Sequence, residues 1–121
     1  MNTNCEVRYA ASPREVKRMD TTELRNEFLV DKLMVKDDIH WVYSHYDRYM
    51  VGGVVPISGS VNLETVDALK ADYFLERREL GIINIGGTGT ILVDGTEYVL
   101  EHKEALYLGQ GNKAVSFSSV S

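Results

Sequence analysis

The sequence is poor in the features that would place a chain outside the cell, across a bilayer or on nucleic acid. Its one cysteine, Cys5, cannot close an internal disulfide and has no CxxC partner. That excludes a disulfide scaffold and suits a reducing compartment. No apolar run approaches the ~20 residues of a membrane-spanning helix. There is no N-x-S/T sequon, and the opening "MNTNCEVRYAAS" has neither the basic start nor the apolar core of a signal peptide. A cytoplasmic chain is therefore expected. Lys and Arg number 13 against 18 Asp and Glu, a net charge of −5, and no basic run exceeds a pair. An acidic surface repels polyphosphate and anionic lipid, so neither a nucleic-acid nor a membrane partner is expected.

What remains is an ordinary globular composition, 44% hydrophobic over 121 residues, the length of one domain. Ser12-Pro13-Arg14-Glu15 has the form of a capping box with Pro at the first helical position, which predicts a helix over 13–19. Asp20-Thr21-Thr22-Glu23 repeats the device ahead of Leu24–Phe28. Residues 1–27 thus read as an N-terminal arm with two short helices, and 28–121 as a β domain. Ile39, Trp41, Tyr43 and His45 alternate with His40, Val42, Ser44 and Tyr46, a period-2 pattern. Flanking strands are expected over 28–36 and 49–57, with a bulge or bend at Gly52-Gly53 and a helical turn within 64–71. "TGTILVDGTEYVLEH" is a hairpin around Asp94-Gly95. "EALYLG" and "AVSFSSV" complete about eight short strands, an all-β jelly roll or sandwich.

Charge is brought to the edge of one apolar run, in "DYFLERRELGIINIGG". If residues 76–79 are extended, Glu76 and Arg78 share one face and Arg77 and Glu79 the other. Two readings stay open. Arg77 or Arg78 receives a substrate carboxylate through paired hydrogen bonds. Alternatively Glu76, Arg77, Arg78 and Glu79 form structural ion pairs within or between subunits, the reading that the chemistry of this segment favours. "YSHYDRY" poses the same choice: Tyr43, His45, Tyr46, Asp47, Arg48 and Tyr49 suit a sugar pocket or a subunit contact, where Tyr and Arg are enriched.

"LRNEFLV", "YSHYDRYMVGG", "YFLERRELGIINIGG", "VDGTEY" and "EALYLGQG", in this order, resemble the N-terminal half of the 5-keto-4-deoxyuronate isomerases, also called 4-deoxy-L-threo-5-hexosulose-uronate ketol-isomerases. The resemblance covers roughly residues 9–119. It implies a cytoplasmic isomerase of pectin and uronate breakdown, which exchanges a C1 aldehyde and C2 hydroxyl for a C2 ketone. It also implies two cupin-like halves in one chain, a homo-oligomer (a hexamer in this family), and zinc held by a His-x-His, Glu and His set in the C-terminal half. The first half of the pair is then a degenerate cupin-like jelly roll.

The cupin ligand pattern can be laid on this sequence. Anchored on Gly87, it puts Tyr73, Leu75 and Leu80 where two His and a Glu should be, and the second motif ends on Ala114. No metal is expected on this chain. His40 and His45 are five apart, so on one strand they face opposite ways, and His102 lies elsewhere. The glycines of "GGTG" read as a tight turn, because Leu92 stands where a phosphate loop needs its third Gly. No G-x-S-x-G elbow is present. Ser116, Ser118, Ser119 and Ser121 read as the solvent side of an end strand, and Cys5 as inert. No catalytic residue is assigned. The chain is expected to be the N-terminal portion of the isomerase, inactive alone, with no cofactor of its own. The alternative is a non-catalytic cupin-like module for assembly or sugar-acid binding.

Overall fold

The computed structural model describes residues 5–120. Its order is β1 (Cys5–Arg8), α1 (Pro13–Val16), α2 (Thr21–Phe28), β2 (Ile39–Ser44), β3 (Met50–Val54), β4 (Val61–Asn62), a 3-10 turn (Asp67–Leu69), β5 (Leu80–Ile83), β6 (Gly89–Val93), β7 (Thr96–Leu100), β8 (Ala105–Leu108) and β9 (Val115–Ser119). Both helices begin as their capping boxes dictate. Ser12 and Glu15 cap α1 reciprocally, and Asp20 and Glu23 do the same for α2. Neither helix buries a residue, so each is tied down by others. The Tyr46 hydroxyl bonds both the N–H and the carbonyl of Ala11. Arg8 donates to the carbonyl of Leu29 at 2.7 Å, just beyond the C-terminus of α2, where a cation is favourable.

The all-β reading holds. Strands assemble as β1-β2-β3, β4-β9-β6-β7 and the pair β5-β8. Ile39 and Trp41 from the first sheet meet Ile91, Val93, Leu100, Val115 and Phe117 from the second and Leu108 from the third. Leu63, Val66, Phe74 and Leu75, from the connections between strands, close the same core, and Leu75 is completely buried.

Five sequence expectations are corrected. The arm over 1–27 holds more than two short helices, because Cys5–Arg8 is a strand paired in parallel with β2, Cys5 opposite Trp41. Residues 28–36 form no strand. They make a single bridge, Lys36 to Val55, and cross the face of the first sheet opposite the core. Gly52 and Gly53 make no bulge, since both stay in register with β2. They are needed for close approach: a Cβ on Gly52 would lie 2.6 Å from Cζ3 of Trp41, and one on Gly53 would lie 2.9 Å from the Leu33 carbonyl oxygen. β9 is not an end strand but sits between β4 and β6. Ser116 and Ser118 do occupy its less buried positions, while Ser121 lies outside the described residues. Finally, residues 76–79 do not form part of a strand. Glu76 and Arg77 lie in a bend and β5 starts only at Leu80, so the tetrad is not one continuous extended segment with two charged faces.

Candidate functional site: an arginine-lined cleft

β2 and β3 are joined by a tight turn in which the Tyr49 N–H donates to the Tyr46 carbonyl at 3.3 Å. Its central residues, Asp47 and Arg48, have φ of 58° and 52°. Hairpin turns of this hand need a left-handed backbone at both central positions and usually take Asn or Gly there. Held by Asp and Arg instead, the tip stores strain of about 1–3 kcal/mol per residue. Something must over-determine it.

That restraint comes from the "ERRE" segment. Arg78 Nη2 donates to the carbonyl oxygen of Arg48 at 2.8 Å, and its guanidinium lies 5.2 Å from the centre of the Tyr43 ring. Arg77 turns the other way and donates twice to the Lys70 carbonyl, at 3.1 and 3.3 Å. Lys70 itself has φ of 50°, closing the 3-10 turn. Glu76 accepts the Asp72 N–H at 2.8 Å and reaches Arg77 only at 3.9 Å. Among the described residues this is the one ion pair within the tetrad, and it is an exposed contact of adjacent residues, worth little. Glu79 instead accepts from the Tyr107 hydroxyl, which pushes that phenol's pKa up.

The Arg78–Arg48 bridge separates two open clefts. One, about 550 Å³, runs from Asp47–Met50 along β5 and β8. The other, about 440 Å³, is lined by Tyr43, Phe74, Leu69, Ala68 and Ala71 with Asp47, Arg48, Arg77 and Arg78. Its floor is firm, because Phe74 is buried and stacks on Trp41 at 4.7 Å. Arg48, Arg77, Arg78 and Asp47 all contribute to the lining of this second cleft, on a chain whose net charge is −5. Arg77 and Arg78 are thus brought to one place, and Arg48 joins them. The sequence offered Arg48 only as part of "YSHYDRY". Its partnership with a residue 30 positions away left no local signal.

The rest of "YSHYDRY" divides. Tyr43 lines the cleft, Tyr46 anchors Ala11, and His45 stacks on Tyr9 at 4.5 Å with its ring centre 5.3 Å from that of Tyr43. His102 bonds the Gly86 carbonyl through Nδ1 at 3.0 Å, beside the "GGTG" segment. There Asn84 accepts from the Gly86 N–H and donates to the Gly87 carbonyl, a side-chain-built turn rather than a phosphate loop. Burial pushes the Cys5 thiol up, which disfavours the nucleophilic thiolate. Among the described residues no three His, Cys, Asp or Glu side chains gather as a metal needs. At the cupin ligand positions Leu75 is buried in the core and Leu80 packs against it, while Tyr73 lies beneath the Lys113 ammonium. These residues do not fit zinc.

Two aspartates that the sequence did not mark as functional organise the loops. Asp37, at φ 58°, accepts the N–H groups of Ile57 and Ser58 at 2.7 and 2.8 Å. Asp94, at φ 46° in the β6–β7 turn, accepts those of Ala114 and Lys113 at 2.7 and 3.1 Å. In both, the backbone donors hold the carboxyl below the usual range.

No family model matches the chain. Individual proteins do. Over 119 residues, 98% of its length, it is 61% identical to the 4-deoxy-L-threo-5-hexosulose-uronate ketol-isomerase of Formosa agariphila, 42% of which is covered. It is 53% identical over 95% of its length to the protein of that name from Lachnoclostridium phytofermentans, and 48% identical over 98% to one from Bacteroides fragilis. The chain corresponds to the N-terminal half of these ketol-isomerases. It spans 42% of the length of these curated relatives. No helix among the described residues is long and apolar enough to cross a membrane.

Proposed function

We propose that this chain serves as the N-terminal half of a uronate ketol-isomerase that converts 5-keto-4-deoxyuronate to 3-deoxy-D-glycero-2,5-hexodiulosonate in pectin and uronate degradation. The observation that carries this reading is identity of 61% along 98% of the chain to a protein of that name. The reaction moves a hydrogen from C2 to C1 while the carbonyl moves from C1 to C2. It needs a polariser for the carbonyl oxygen and a group that shuttles the proton. The zinc that the resemblance assigns to the C-terminal half has no matching donor set here, and no nucleophile–base pair accompanies the arginines. The contribution of this half is therefore a folded cupin-like platform and a cationic cleft suited to a sugar acid. A homo-oligomer in the cytoplasm completes the proposal. The outer face of the β5–β8 pair supports it, because Ile83 and Tyr107 stand 70% and 65% exposed there and call for cover.

The test is a chimera in which residues 1–121 replace the matching segment of the Formosa agariphila protein. Conversion of the aldehyde to the ketone, followed by NMR, is expected within a few-fold of the parent, and none from the 121-residue chain alone. A folded, soluble chimera without turnover would sink the assignment.

A further inference from the structure

The sheet β4-β9-β6-β7 turns one face to the core and the other outward. Ile91, Val93, Val115 and Phe117 point inward, so the residues between them point out. The register sets Ser118, Thr90 and Val99 side by side in one row, and Ser116, Leu92 and Glu97 in the next. Glu97 is the one charged residue in the two rows. The solvated side of an antiparallel sheet is ordinarily polar, yet Leu92 and Val99 are 43% and 56% exposed on it. Residues 28–36 cross the outer face of the first sheet, whereas these two side chains stay open. The chain itself runs off this face. Past Ser119 the Val120 N–H still bonds the Thr88 carbonyl, at 3.3 Å, which prolongs the β6–β9 ladder by one step. By the same alternation Val120, 60% exposed, joins Ser116 and Ser118 on the outer side.

We propose that this face is where the C-terminal half packs, the part that the curated relatives possess beyond the 42% of their length matched here. The inference rests on the isomerase reading and names the partner of a surface distinct from the β5–β8 pair. A segment that continues from Val120 starts beside the row of Ser118, Thr90 and Val99. Tethered there by a short flexible connection, the partner is held at an effective concentration on the order of millimolar. A face of modest apolar area is then enough, and surfaces between domains of one chain are more polar than those between permanent subunits. Leu92, Val99 and Val120, set among serine and threonine, fit that description. A second copy of the chain lacks the tether, and three apolar side chains are too few to hold it alone.

The experiment uses the full-length protein that carries this chain. Val99→p-benzoylphenylalanine places a photoreactive group on the face, and the cross-linked peptides are read by mass spectrometry. The cross-link is expected within one chain, to residues beyond 121, whatever the protein concentration. Hydroxyl-radical labelling of the unsubstituted protein checks this without the bulky group. Leu92 and Val99 should label severalfold more slowly than Ile57, which is 57% exposed and lies outside the sheet. Cross-links between two chains, no cross-link at all, or labelling of Leu92 and Val99 as fast as Ile57 would overturn the proposal. Turnover by the same protein separates the two readings. An active enzyme with Leu92 and Val99 open sinks this inference alone, whereas a full-length protein without turnover sinks the isomerase reading.

Discussion

Arg78 donates a 2.8 Å hydrogen bond to the backbone carbonyl of Arg48, 30 residues earlier in the chain. One arginine thereby fixes the backbone of another in a left-handed turn. Arg78→Ala removes both this bond and the contact with Tyr43, and is expected to cost about 1 kcal/mol, since the pair is partly solvated. Urea unfolding measures the cost. Amide exchange should also quicken at Tyr49, whose N–H closes the turn. Unchanged exchange there would mean that the turn holds itself.

Gly52 and Gly81 are both strand glycines with opposite surroundings. A Cβ at Gly52 runs into the Trp41 ring, whereas one at Gly81 meets nothing within 4 Å. Gly52→Ala should destabilise by about 2 kcal/mol or more. Gly81→Ala should be neutral or stabilising by roughly 0.5 kcal/mol. Paired denaturation curves decide the matter, and equal effects would refute the close-approach account.

Asp94 is held ionised by the N–H groups of Ala114 and Lys113. Its folded pKa lies below its unfolded one, so its contribution is complete above the unfolded value and disappears as pH falls through the folded value. Asp94→Asn tolerates the same left-handed backbone but removes the charge. The stability gap between wild type and variant should be constant near neutrality and close below about pH 4. Thermal melts across that range test it, and a pH-independent gap would assign the effect to something other than the carboxylate.

Glu79 accepts the Tyr107 hydroxyl, and that bond to the neutral phenol holds its pKa above the ordinary value. Glu79→Ala, which removes the acceptor as well as the charge, should bring the Tyr107 titration down toward the ordinary range, read from its ring Cζ shift. The other tyrosines should titrate as before.

Local signals in the sequence carried over well. Ser12 and Glu15, Asp20 and Glu23, and Asp94-Gly95 all act within a few residues of themselves, and each does what its spacing dictates. Non-local decisions did not carry over. Residues 28–36 are as apolar as a strand, yet the edge of β3 is met there by one bridge only. Glu76–Glu79 invited an extended reading because an apolar strand follows, but the fully buried Leu75 pins the chain in a bend just before it. At the candidate site, Arg77 and Arg78 were legible as chemistry. Arg48 was not legible as their neighbour, because only the packed hairpin brings it there.

The parallel pairing of β1 with β2 has a kinetic consequence. A hairpin can zip from its turn, but Cys5 can find Trp41 only after a long loop closes, at an entropic cost that local contacts do not repay. β1 is therefore expected to dock late in folding onto an edge already built by β2 and β3, and its amides to be the first of that sheet to exchange with solvent. Since Arg8 also holds the end of α2, the helical arm is expected to lose that anchor whenever β1 detaches.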